Sequence, residues 1–148
     1  MKTELSIEID RPIDAVFDYT NNQVPLWSKI VVTDQIVNNV NNGDVGTTFR
    51  VITHDHGREM IFDGEVIQFD APYLSRVIMR GPQFDIDVEY VFVHRAGRTR
   101  VTQRSQVIPK GLVMKVMFGL FGWMFKASGR RALEADFATL KQQLEAEA

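Results

Sequence analysis

The chain contains no cysteine among its 148 residues. That removes disulfides, thiolate nucleophiles and Cys-ligated zinc or iron together, and it fits a reducing compartment. A net charge of -2 supplies no general attraction to nucleic acid. The opening MKTELSIEID alternates charged and apolar residues and lacks the unbroken apolar core of a signal peptide, so the expected location is the cytoplasm. P-loop, dinucleotide and Ser-His-Asp signatures are missing as well, which leaves no pointer to a nucleotide or metal cofactor. Repeats, linkers and low-complexity stretches are also missing.

What is present is ordinary for a folded protein: a hydrophobic share of 45% and a charged share of 24%. One domain over residues 1–148 is the expectation, with a core large enough to tolerate a cavity. Leu5, Ile7 and Ile9 alternate with polar residues and read as a half-buried strand. The strand stops at Arg11-Pro12. Pro12 suits the first turn of a helix, and Asp10 or Asp14 is placed to meet free N–H groups there. A short helix from Pro12 to Thr20 is followed by a second helical piece from about Pro25 to Ile30.

From Val32 to Val107 the chain reads as about six strands joined by tight turns. The turn clusters are Asn41-Asn42-Gly43-Asp44, Asp55-His56-Gly57, Asp70-Ala71-Pro72, Gly81-Pro82 and Arg95-Ala96-Gly97. Their spacing predicts an antiparallel meander. Phe84, Ile86, Val88, Tyr90 and Phe92 alternate most clearly and should face inward. A four-residue turn at Arg95–Arg98 pairs His94 with Thr99, which sets Tyr90 opposite Gln103 and Val88 opposite Ser105 on the inside, and Glu89 opposite Arg104 outside. Inward Gln103 and Ser105 need partners, because an unsatisfied buried polar group costs about 1–3 kcal/mol. A partly wet pocket would supply them.

Gly111 to Ala148 is a long helical tail. Leu133, Phe137, Leu140 and Leu144 form one stripe of an amphipathic helix. Carried back, that stripe meets Lys126, Gly122, Gly119 and Lys115, while Leu112, Val116, Met117, Leu120, Phe121, Trp123, Met124 and Phe125 cover most of the remaining circumference. Either the helix kinks near Ser128-Gly129, or its apolar outer surface touches something other than water. The run from Leu112 to Phe125 is too short to cross a bilayer, which needs about twenty apolar residues.

This order of elements makes an α+β domain with helices on one face of a curved sheet. Several phrases also resemble the START-like superfamily, also called SRPBCC, and within it the polyketide cyclase/dehydrase-like group of small bacterial proteins. They are Ile9-Asp10-Arg11-Pro12-Ile13-Asp14-Ala15-Val16-Phe17-Asp18-Tyr19 with Trp27, Gly43-Asp44-Val45-Gly46-Thr47, Gly64-Glu65-Val66-Ile67 with Asp70-Ala71-Pro72, and Leu133 to Lys141. The resemblance spans nearly the whole chain. It implies a helix-grip fold: a seven-stranded antiparallel sheet wrapped around a long C-terminal helix, with a hydrophobic cavity between them. No single reaction is implied, since lipid carriers, hormone and coenzyme-Q binders and aromatic cyclases share the fold.

Three groups of residues bear on chemistry. His54, Asp55, His56 and Glu59 have metal-like composition, but Asp55-His56-Gly57 is also a good hairpin tip, and we read it so. Tyr90 with Gln103 is the best acid/base candidate, able to orient or protonate a carbonyl oxygen; without a nearby His or paired carboxylate, core filler with a satisfied hydroxyl is the preferred reading. Asp85, Asp87 and Glu89 beside Arg100 and Arg104 read as the solvated face of a hairpin.

The leading functional expectation is a binder or carrier of a hydrophobic, lipid-like or polyaromatic ligand. The expected wall is Trp27, Phe49, Val88, Tyr90, Phe92, Gln103, Ser105, Met117 and Phe121, with no cofactor. A cyclase or dehydratase using the same cavity is the alternative. A third reading takes residues 112–125, flanked by Lys110, Lys126, Arg130 and Arg131, as a membrane-surface or dimer contact.

Overall fold

The computed structural model describes residues 2–147; Met1 and Ala148, the ends of the expected domain and tail, lie outside the described residues. Strand β1 (Lys2–Ile9) leads into α1 (Ile13–Asn22) and the single turn α2 (Val24–Trp27). Six strands follow: β2 (Val31–Asn38), β3 (Thr48–Asp55), β4 (Arg58–Asp70), β5 (Leu74–Arg80), β6 (Phe84–Arg95) and β7 (Arg98–Pro109). Helix α3 (Gly111–Ala146) completes the chain. The seven strands form one antiparallel sheet in the order β1-β7-β6-β5-β4-β3-β2, so β1 and β2 are its edges. This is the helix-grip architecture.

The hairpins obey their turn chemistry. His56 and Gly57 both adopt positive φ (50° and 77°), as do Ala96 and Gly97 (48° and 80°), which is the backbone of the two-residue turn that matches strand twist. The second of these turns fixes the β6–β7 register expected from sequence, with Tyr90 opposite Gln103, Val88 opposite Ser105, Glu89 opposite Arg104 and His94 opposite Thr99.

The short helices differ from expectation at their ends. Helix α1 runs two residues past Thr20, because the Asn21 side chain donates back to the Phe17 carbonyl at 2.8 Å and that of Asn22 to Asp18 at 2.6 Å. Neither Asp10 nor Asp14 caps it. Asp10 instead gives its backbone N–H to Glu145 at 2.9 Å, tying the end of β1 to the end of α3. Helix α2 stops at Trp27, where Ser28 turns extended, rather than reaching Ile30.

The packed core lies at one end, where α1, α2 and the second half of α3 close over the sheet. Val16 and Phe17 meet Ile9, Phe92, Val101, Phe137, Leu140 and Leu144 there. Phe17 sets its ring edge against Phe92 at 5.0 Å and Phe69 at 5.6 Å, a geometry that favours aromatic pairs beyond their buried area. The apolar stripe of the tail is therefore core, as its period predicts.

Helix α3 is unbroken through Ser128 and Gly129, and its sheltered face changes between the two halves. In the first half, Met114, Phe118, Gly122 and Phe125 are the partly sheltered positions, and Phe118 stacks toward Phe84 of β6 at 6.5 Å. At 100° per residue this face is rotated by about 70° from the Leu133–Leu144 stripe. Continuity of the stripe failed because the two halves of the helix meet different neighbours.

Candidate functional site

The inward positions of the sheet alternate along every strand, because successive side chains point to opposite faces. From β3 to β7 they run Phe49, Val51 and Thr53; Phe62, Gly64 and Val66; Ser75, Val77 and Met79; Phe84 to Phe92 in steps of two; and Thr99, Val101, Gln103, Ser105 and Val107. None is charged. Toward the closed end these side chains are buried. Toward the other, Val77, Met79, Phe84, Ile86, Ser105 and Val107 are half-buried, as are Met114, Phe118 and Phe125 of the helix, whereas Val51 and Phe62, level with Phe84, are 3% and 2% exposed. The apolar inner face of the sheet and the first half of α3 approach each other there, with the Phe118 ring 6.5 Å from Phe84, and this region is the candidate site.

Tyr90 packs against the closed core and Gln103 is buried beside it. The Gln103 amide donates to the Tyr90 hydroxyl oxygen at 2.8 Å, which leaves the hydroxyl proton free for another acceptor. Trp27, itself in the core, sets its ring edge against Tyr90 at 6.5 Å. Burial raises the Tyr90 pKa well above the ordinary phenol value; the Gln103 hydrogen bond works against this and the Asp136 carboxylate adds to it. The hydroxyl is protonated at every ordinary pH.

Two carboxylates that the sequence did not single out are partly buried. Asp136 of α3 accepts the Lys29 backbone N–H at 3.1 Å and the Ser28 hydroxyl at 3.4 Å, and burial raises its pKa against both hydrogen bonds. Asp34 of β2 stands opposite Val51 and so shares the inward face. Burial without a compensating partner pushes its pKa up to about 6. The signal for Asp34 was an acid at an inward position of an edge strand, hidden by the irregular register between Val31 and Thr33.

The expected wall residues divide into three sets. Trp27 and Phe92, 4% and 2% exposed, fill the closed core rather than line an open wall. Phe49, Val88, Tyr90, Gln103 and Ser105 occupy inward sheet positions; the Phe49 ring lies directly over Gly64. Met117 and Phe121 remain exposed on the flank of α3, while Met114, Phe118 and Phe125 turn toward the sheet.

The other candidates are dispersed. His54, Asp55, His56 and Glu59 sit exposed at the β3–β4 hairpin tip, and among the described residues no three His, Asp or Glu side chains converge. Glu89 pairs with Arg104 at 3.1 Å as expected, but Asp87 pairs with Arg76 of β5 at 2.7 Å and Asp85 with Lys110 at 2.8 Å, not with Arg100. Two shallow polar grooves mark the outer surfaces. One of about 530 Å³ runs over the start of β1 between Arg104 and Lys126, and one of about 700 Å³ lies between Arg58 and Lys110. Neither is lined by Met114, Phe118 or Phe125.

A curved seven-stranded antiparallel sheet gripping a long terminal helix, with two short helices after the first strand, defines the START-like class of protein. The chain belongs to the family described as polyketide cyclase / dehydrase and lipid transport, whose model matches residues 1–148. Solved structures share the fold. A START superfamily protein from Mycobacterium smegmatis is 16% identical, with a TM-score of 0.81 over 99% of each chain. TTHA0849 from Thermus thermophilus is 16% identical, with a TM-score of 0.80 over 100% of this chain and 99% of that one. The Zhui aromatase/cyclase from Streptomyces sp. R1128 is 12% identical, with a TM-score of 0.78 over 98% of this chain and 93% of that one. No curated protein matches the sequence.

Proposed function

We propose that the chain binds an apolar small molecule, lipid-like or polyaromatic, in an apolar cleft between the sheet and the first half of α3. The observation that carries this reading is the Tyr90–Gln103 pair, a hydrogen-bonding spot on the largely apolar and uncharged inner face of β3 to β7. Apolar walls supply affinity by burial, at about 25 cal/mol per Å² before ordering costs. The free Tyr90 proton fixes orientation by meeting an oxygen of the ligand. Membership of a family whose description includes lipid transport supports the same reading.

The test is native mass spectrometry of the purified protein, followed by titration with a fluorescent fatty acid and a fluorescent polyaromatic probe. A co-purifying apolar compound, or saturable probe binding weakened by Ile86→Asp, is the expected result. A protein that arrives empty and ignores both probes overturns the reading.

A second reading, a cyclase or dehydratase, is favoured by one observation: Tyr90 keeps its proton and already has its oxygen engaged by Gln103. A phenol so placed can donate to a carbonyl oxygen of an enclosed substrate and polarise it. The fold shared with the Zhui aromatase/cyclase is consistent with this chemistry. Turnover of an aromatic polyketide mimic, lost in Tyr90→Phe, distinguishes enzyme from carrier.

A further inference from the structure

The first half of α3 carries an exposed apolar surface that the proposed function does not use. Leu112, Val113, Val116, Leu120, Trp123 and Met124 all point away from the sheet, with Leu112 79%, Trp123 73% and Leu120 64% exposed. Scattered exposed hydrophobics need no explanation, but a contiguous set on one helix does. The helix also reaches beyond the sheet edge beside it. Arg130 donates to the Glu4 carbonyl at 2.9 Å and Lys141 to the Glu8 carbonyl at 2.6 Å, so α3 and β1 run side by side in the same direction. Residues 111–125 therefore continue past the start of β1 for about 22 Å at 1.5 Å per residue.

The segment that carries this face has charge of one sign, although Glu4, Asp87 and Glu89 share a groove with Lys126 and Arg130 beyond its end. No Asp or Glu occurs between Glu89 and Glu134. Lys115, Lys126 and Arg131 border the apolar face, and among the described residues none of them makes an ion pair or hydrogen bond. Lys110 and Arg130, by contrast, are tied to Asp85 and Glu134. No helix of the described residues is long and apolar enough to cross a membrane. An apolar face bordered by free cations lies flat in an interface, its rings and leucines among the acyl chains and its lysines reaching back to anionic headgroups.

A second copy of this chain is the competing occupant, and the charges oppose it. An antiparallel pairing centred between Leu120 and Phe121 sets Lys115 of each copy against Lys126 of the other, and a parallel pairing sets each lysine against itself. The segment has no acid to separate them, whereas an anionic bilayer complements every one. We infer that residues 112–125 dock this protein on an anionic membrane surface.

Vesicle flotation at low ionic strength tests this, using phosphatidylcholine alone and an equal mixture of phosphatidylcholine and phosphatidylglycerol. The protein should float with the anionic vesicles and not with the neutral ones, and release as salt rises. Trp123 emission should shift to the blue on binding, while Trp27, already buried, contributes a constant signal. Lys115→Ala and Lys126→Ala should each lower partitioning roughly fivefold, and Leu120→Glu should abolish it with an unchanged thermal melt. The reading is overturned if the wild type stays at the bottom of the gradient with anionic vesicles. It is equally overturned if Leu120→Glu floats as well as the wild type, or if the protein sediments as a dimer that Leu120→Glu dissociates and does not float. None of these arms uses the cleft ligand, so they succeed or fail independently of the proposed binding function.

Discussion

Gln103 donates to the Tyr90 hydroxyl oxygen at 2.8 Å across adjacent strands, and the two residues are direct register partners. A cross-strand pair of this kind is satisfied only as a pair. Tyr90→Phe leaves the Gln103 amide buried without an acceptor, a loss of about 1–3 kcal/mol, whereas Tyr90→Phe with Gln103→Leu should recover most of it. Urea denaturation of the two singles and the double measures the coupling. Ligand binding separates the roles further: the double variant should keep its affinity for a pure hydrocarbon probe and lose affinity for one bearing a carbonyl or hydroxyl.

Asp34 makes stability depend on pH in the opposite sense to a salt-bridged acid. Its folded pKa is raised to about 6 from 3.8 by burial, so the folded state favours the protonated form. The group's contribution is fully present below about pH 4 and is lost as pH rises through about 6. Asp34→Asn, which cannot ionise, should therefore melt higher than the wild type at neutral pH, with the difference vanishing in acid. Thermal melts of both proteins across that range check the sign. A constant difference at all pH values would remove ionisation of Asp34 as the cause.

The fold was legible in the sequence wherever a single local rule decided the outcome. Positive-φ turns fixed the β6–β7 register to the residue, and the Leu133–Leu144 stripe located the core face of the second half of α3. Within the candidate site the Tyr90–Gln103 pairing was legible, because it follows from that register. The side of α3 that meets the sheet was not. Extending one helical stripe over 36 residues assumes one continuous partner, but the sheet curves away and the first half of α3 meets β6 with a different face. Met114, Phe118 and Phe125 then replace Met117 and Phe121 on the sheltered side. Asp34 escaped because its edge strand shifts register just before it, and parity arguments fail across such a shift.

Gly64 is held by its neighbour rather than by its backbone. A Cβ added there would lie 2.3 Å from the Phe49 ring on the paired strand, closer than atoms can approach. Gly64→Ala should therefore displace the ring and cost about 1–3 kcal/mol, the usual range for overpacking. Trimming the partner tests the cause. In a Phe49→Leu background the same Gly64→Ala change should cost markedly less, and equal costs in the two backgrounds would mean that the ring is not the obstacle.

The two ends of the space under α3 should respond differently to the same kind of truncation. Phe137 is 1% exposed and tilted against Trp27 at 6.3 Å, so Phe137→Ala opens a cavity in packed core and should cost about 3–5 kcal/mol. Phe118 is half-buried, with its ring 5.3 Å from Phe125 and 6.5 Å from Phe84 on the open side. Little packing is lost when it is trimmed, and the stability cost of Phe118→Ala should be well under half that of Phe137→Ala. Affinity should show the reverse order. Removing the Phe118 ring deletes apolar wall that a bound ligand would cover, and at about 25 cal/mol per Å² a loss of several tens of Å² of contact weakens binding by roughly tenfold. Denaturant melts and probe titrations on the same two variants decide the matter: if Phe118→Ala is as destabilising as Phe137→Ala, the space beneath the first half of the helix is core, and the cleft assigned to the ligand does not exist.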